Sequence, residues 1–161
     1  MTPTPAPIRP ARPADADAMT ALYRASVEGV GARDYNAEQV RVWAALAPSP
    51  DRWRAMMADG RLVLAAVDAS DRLLAFGDLE ADGHIDFLYA APDAAGTGVV
   101  AALYAALEPA ARARAIPRLY SEASEAACRF FTRRGFTVLH RRDLEVDGVA
   151  IHNYAVEKAL A

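Results

Sequence analysis

Apolar positions in the first third of the chain recur at helical spacing. In "IRPARPADADAMTALYRASVEGV" a short strand near Ile8 precedes a helix from about Ala14, with Met19, Leu22, Tyr23, Val27 and Val30 on one face. Asp15 and Asp17 fall in its first turn, where negative charge suits the helix dipole. "NAEQVRVWAALA" reads as a second helix capped by Asn36. "SPDRWRAMMADG" reads as a short third, begun by Ser49 or Asp51 and ended by Gly60. The period then changes. "RLVLAAVDA", "RLLAFGDLE" and "HIDFLYAA" are strand-like runs divided by short turns, which predicts an antiparallel meander. A helix follows over roughly Gly98 to Ala113, then a strand "RLYSEA" and a helix "EAACRFFTRRG" stopped by Gly135. "FTVLHRRDLEV" and "VAIHNYAVEKAL" form a closing hairpin around Asp147-Gly148. The order β, two or three α, three β, α, β, α, two β predicts an α/β fold with a sheet layered by helices.

Composition narrows this picture little. The 161 residues suit one domain over 8–161, with the proline-rich residues 1–7 as a loose leader. The net charge of −3 offers no global basic field for nucleic acid or an anionic membrane. No apolar run approaches the roughly 20 residues of a membrane span, and the first residues lack the apolar core of a signal peptide. The single cysteine, Cys128, excludes an internal disulfide and a cysteine-based zinc cluster, and His, Asp and Glu show no metal-ligand spacing. The expectation is a cytoplasmic protein with no metal.

The first chemical signal is "APDAAGTGVVAALYAALE", where Gly96 and Gly98 flank Thr97 ahead of a long helix. A helix N-terminus carries free N–H groups and a partial positive charge, and glycines before it let a bulky anion approach the backbone. A tight strand-to-helix turn would use the same residues. No Gly-Lys-Ser or Gly-Lys-Thr is present, so this is not a P-loop. Ala101 would satisfy the spacing of a dinucleotide fingerprint, but the preceding meander argues against a parallel βαβ unit.

With "SEAACRFFTRRGF" added, the stretch "FLYAAPDAAGTGVVAALYAALE" resembles the GNAT superfamily of acyl-CoA-dependent N-acyltransferases, and the element order is similar from about Ile8 to Leu160. The resemblance implies a mixed, mainly antiparallel sheet of about seven strands flanked by helices. It implies that Gly96, Thr97, Gly98, Val99, Val100 and Ala101 hold the pyrophosphate of acetyl-CoA or coenzyme A. The backbone of Leu88, Tyr89 and Ala90 would meet the pantetheine arm, with Ser124 and Phe131 beside it. Departures stand at Ala95, where relatives carry Arg or Gln, at Val100, where they carry a small residue, and at Phe131, where many use a tyrosine as acid for the departing thiolate. A phenyl ring donates no proton. Ser124 also fits a helix N-cap, and Phe131 also fits the core.

The acceptor side is read mainly from the residues. Asp86 is a charge inside an apolar run; burial would raise its pKa and suit it to take the proton of an attacking amine. It also fits a buried ion pair or hydrogen bond with Arg9 or Asn153. Alternation places His84, Asp86 and Leu88 on one strand face, with Ile85, Phe87 and Tyr89 on the other. Asp78 and Glu80 are weaker candidates; Glu122, close to Ser124, fits a place facing the site and fits a solvated surface residue better. His140 and His152 read as ordinary histidines of the hairpin. Tyr35, Gln39 and Trp43, four residues apart, share a helix face. In relatives that region covers the acceptor, so these three, with Asn153 and Tyr154 of the last strand, are candidate substrate-binding residues; packing of the helix on the sheet fits Trp43 as well.

The resulting expectation is transfer of an acetyl group from acetyl-CoA to a primary amine, on a small molecule or a peptide, by direct attack in a ternary complex. Relatives often form dimers, so a homodimer is possible. A GNAT-like acyl-CoA sensor without turnover is the alternative, favoured by Ala95, Val100 and Phe131. A plain interaction domain would bind no coenzyme A.

Overall fold

A computed structural model describes residues 6–160; the expected leader falls largely outside them, although Pro7 O accepts from Val67 N at 3.0 Å. Strand β1 (Ile8–Pro10) leads through a 3-10 turn at Pro13–Asp15 into α1 (Ala16–Gly29). Met19, Leu22, Tyr23 and Val27 of α1 are buried, as their spacing predicts. Helix α2 (Ala37–Ala44) starts at a capping box: Gln39 N donates to Asn36 Oδ1 and Asn36 N to Gln39 Oε1. Tyr35 therefore precedes α2 and does not lie on it. Helix α3 (Pro50–Met57) is capped by the Ser49 hydroxyl.

Strands β2 (Leu62–Val67), β3 (Leu73–Leu79) and β4 (Leu88–Ala90) follow, then α4 (Val99–Ala113), β5 (Arg118–Ala123), α5 (Glu125–Thr132), β6 (Thr137–Val146) and β7 (Val149–Ala159). The seven strands make a four-stranded sheet ordered β1-β2-β3-β4 and a three-stranded sheet ordered β5-β7-β6, with every named pair antiparallel. One parallel bridge, His84 to Tyr120, joins them. This is the mixed α/β architecture expected, with one departure in the third strand-like run.

There the ladder is irregular. Asp78 N donates to Phe87 O at 3.1 Å, and Glu80 N to His84 O at 2.9 Å. Ile85 and Asp86 together thus face Leu79, a β-bulge that interrupts the predicted alternation and limits β4 to three residues. The core between the sheets and helices centres on Phe76, Leu79, Leu103, Leu107, Leu119 and Val156, each fully or almost fully buried. Removing such a side chain to alanine costs about 2–5 kcal/mol. Among the described residues no helix is long and apolar enough to cross a membrane.

Candidate active site

β4 and β5 start together and then part. Ile85 N donates to Tyr120 O at 2.9 Å, Tyr120 N to Gly83 O at 3.1 Å, and the Ser121 hydroxyl to Ile85 O at 2.7 Å. Beyond Ile85, β4 pairs with β3 and β5 with β7, which leaves a wedge between the sheets. The bonds Asp78 N to Phe87 O and Ala91 N to Leu74 O turn the backbones of Phe87, Tyr89 and Ala91 towards β3. Antiparallel alternation then aims the N–H and C=O groups of Leu88 and Ala90 into the wedge. Tyr89 offers its ring instead of its backbone.

The far end of the wedge is the start of α4. Gly96 and Gly98 sit at φ +79° and +89°, and nothing lies within 4 Å of where a Cβ would stand on either. Conformation requires glycine here, and the space above stays open. The N–H groups of Val99, Val100 and Ala101 belong to the first turn, which has no intrahelical acceptor. The Val99 side chain packs inward, and the Thr97 hydroxyl donates to Ala94 O at 2.5 Å. Those two contribute backbone alone. A cavity of about 440 Å³ runs from this turn, past Ala95, Gly96, Gly98, Val100 and Ala101, to Leu88, Tyr89 and Ala90. Arg33, Arg133 and Arg134 line its outer wall. The Arg134 guanidinium stacks on Phe130, 3.7 Å from the ring centre.

A second cavity, of about 300 Å³, shares Tyr35, Trp43, Leu88, Tyr89, Ser124 and Ala127 with the first. Asp86, Phe131 and Asn153 line it. Ser124 caps α5 by accepting from Ala127 N, and also borders both cavities. Phe131 is 1% exposed and packs against Tyr104, Phe130 and Phe136. Tyr35 and Trp43 stand edge to face, centroids 5.2 Å apart. The Tyr35 hydroxyl donates to His152 O at 2.9 Å, tying the cover to β7. Gln39 lines neither cavity; its side chain holds Asn36 N and donates to Ala150 O. Asn153 Oδ1 accepts from Arg142 Nη1 at 3.2 Å.

Charge gathers at the bulge. Asp78, almost fully buried, accepts from Asp86 N and Phe87 N on Oδ1, both at 2.8 Å, and from Arg61 on Oδ2 at 3.0 Å. Burial pushes its carboxyl up to about 7, against those three donors. Asp86 is 40% exposed, and its nearest cation is Arg61 at 3.9 Å. Arg9 pairs instead with Asp15 and Asp71. Partial burial raises the Asp86 pKa. His84 bridges Glu80 at 2.5 Å and Glu122 at 3.0 Å; the Glu122 hydrogen bond leads in raising its pKa to about 9. Glu80, His84 and Asp86 each bring a donor atom within 4.8 Å of the others, close enough to hold a cation. Both His84 nitrogens already face carboxylates, however, so the protonated ring has no lone pair for a metal.

Sequence reasoning found Asp86 and the glycine turn. It missed Arg61, Arg134 and Arg142; of the two readings of Glu122, the structure favours the one that faces the site, since that residue borders the second cavity. A guanidinium's destination depends on distant partners, so no local pattern marks these arginines.

Residues 31–158 match the family profile of the acetyltransferase (GNAT) domain. The chain belongs to this family. A GCN5-related N-acetyltransferase structure from Rhodopseudomonas palustris, also described as an aminotransferase of class II, is 34% identical, with a TM-score of 0.89 over 99% of each chain. The PaiA N-acetyltransferase of Thermoplasma acidophilum, solved with coenzyme A, is 18% identical, with a TM-score of 0.77 over 98% of this chain and 100% of that one. A phosphinothricin acetyltransferase of Sinorhizobium meliloti, solved with acetyl-CoA, is 19% identical, with a TM-score of 0.76 over 99% and 89%. At the last two identities the likeness is one of fold. No curated protein matches the chain.

Proposed function

We propose that this protein transfers an acetyl group from acetyl-CoA to a primary amine by direct attack in a ternary complex. The observation that carries this reading is the pair of cavities meeting along β4, with the open α4 turn at one end and Asp86 at the other. The N–H groups of Gly98 to Ala101 suit a pyrophosphate, and Arg33, Arg133 and Arg134 suit its remaining charge. The wedge-facing groups of Leu88 and Ala90 suit the amides of the arm, and an N–H there suits the oxygen that gains charge as the amine attacks. Asp86 takes the amine proton from the second cavity. Holding amine and thioester together supplies much of the rate.

One further fact supports direct attack. Cys128 lies within α5 and burial raises its pKa, which opposes a thiolate nucleophile. Phe131 offers no proton, and a thiol of pKa near roughly 8.5 leaves without an acid at that position. Phe131 equally favours the second reading, an acyl-CoA sensor without turnover. Release of free thiol with an amine panel separates the two readings. The first experiment is the melting temperature with acetyl-CoA, with coenzyme A and with a plain adenine nucleotide. A ligand at 100 times its Kd adds about 2.7 kcal/mol. A rise with both coenzyme A forms and little with the nucleotide is expected; no rise with any of them overturns the proposal.

A further inference from the structure

The arginines of this chain divide sharply by partner. Arg9, Arg54, Arg61, Arg134 and Arg142 are the partly buried ones among the described residues. Arg9 pairs with Asp15, Arg54 with Asp51, and Arg61 with Asp59, Asp78 and Glu80. Arg134 and Arg142 have no carboxylate of a described residue within 4.0 Å. Arg134 borders the larger cavity and Arg142 the smaller. A guanidinium withdrawn from water without a counter-ion is costly unless something anionic completes it. Arg142 has one protein partner, the neutral Asn153 Oδ1 at 3.2 Å, so most of its five donors stay free. Among the described residues lining the smaller cavity it is the one arginine or lysine.

The same cavity holds the opposite charge on its β4 and β5 side. Asp86 and Glu122 border it, and Glu122 feels the Arg142 charge without pairing to it. Tyr23, Trp43, Leu46 and Ile151 add apolar surface to the same walls. The space therefore offers carboxylates for a cation, one guanidinium for an anion and apolar walls, in a volume of about 300 Å³. We propose that the acceptor is a free amino acid with an apolar side chain, its amine at Asp86 and its carboxylate on the Arg142 guanidinium. This rests on the acyltransferase reading and gives it a substrate class. The N-terminal residue of a peptide has its carboxyl in an amide bond, so it offers Arg142 no α-carboxylate.

The test is free-thiol release from acetyl-CoA with L-leucine, L-methionine and L-phenylalanine, each against its own carboxamide, in the wild type, Arg142→Gln and Arg142→Lys. The carboxamides carry the less basic amine and hold more of it as free base near neutral pH, so a preference for the acid does not come from amine availability. A charge-assisted, bidentate contact predicts kcat/KM about 10- to 100-fold higher for the acids. Arg142→Gln should bring the acid-to-amide ratio towards one, and Arg142→Lys should retain part of it. Melting temperatures with coenzyme A check that each variant folds and binds the donor. Equal use of acid and amide by the wild type, or an unchanged ratio in a folded Arg142→Gln, overturns the inference while the acyltransferase reading stands. A coenzyme A shift without turnover of any acid also overturns it. No coenzyme A shift in the wild type removes the reading beneath it.

Discussion

At the α4 end of the groove the walls are main chain: open N–H groups above two glycines at positive φ, with no side chain within 4 Å of either missing Cβ. At the Asp86 end the walls are side chains brought from four strands and the α2 cover, and their charges are set by one another. The first kind of site is the same wherever a helix begins this way, because peptide groups do not vary. The second kind belongs to one chain. The difference teaches that the proposed donor half rests on backbone that many chains share, and the proposed acceptor half must be read residue by residue.

The sharpest way to break this comparison is at Asp86. Asp86→Asn should lower kcat/KM by about 10²- to 10⁴-fold, with the melting temperature unchanged, because the half-exposed side chain accepts no hydrogen bond from a described residue. The acid limb of the wild-type rate profile should lie above the ordinary carboxylate range, since partial burial raises the Asp86 pKa, and it should vanish in the variant. A loss of stability with activity kept would make Asp86 structural. Next comes Asp78→Ala, which orphans the N–H groups of Asp86 and Phe87 at about 1–3 kcal/mol each. Thermal unfolding should move down by about 10 °C; an unmoved transition would mean the bulge holds itself.

At the other end, Gly98→Asp places a carboxylate where an anion is to bind and forces a left-handed φ on a residue with a Cβ. Coenzyme A affinity should fall by about 100-fold, read from titration calorimetry, with the fold retained. Normal affinity would end the anion reading of that turn. The smallest effect is at His84. Its folded pKa of about 9 stands above the model-peptide value of about 6.5, so the protonated ring stabilises the fold fully below about 6.5. That contribution is lost as pH rises through about 9. His84→Gln should melt a few degrees below the wild type near pH 6, and the gap should close by about pH 10. A gap independent of pH would show packing rather than charge at work.

The two ends also differ in how far the sequence revealed them. Gly96 and Gly98 mark a backbone conformation, and Asn36 and Ser49 mark helix starts; such signals lie within a few residues of what they cause. Asp86 stood out because a charge interrupts an apolar run. The bulge beside it did not, because the Asp78 carboxylate that holds it comes from the neighbouring strand. Gln39 was read as facing substrate, yet it caps α2 and donates to Ala150, 111 residues away. Tyr35 likewise reaches His152 across 117 residues. Helical spacing describes a face, and only the tertiary partner says what the face meets.

The bulge gives residue 86 an unusual status. The position exists because two residues, Ile85 and Asp86, stand where a regular ladder would hold one. Deleting it would restore an even ladder between β3 and the run before β4, and would at the same time strand the Asp78 carboxylate without the two N–H groups it accepts. The candidate base and the Asp78 carboxylate are therefore coupled through the backbone. A designer who wishes to graft this base onto a regular sheet must carry both residues across.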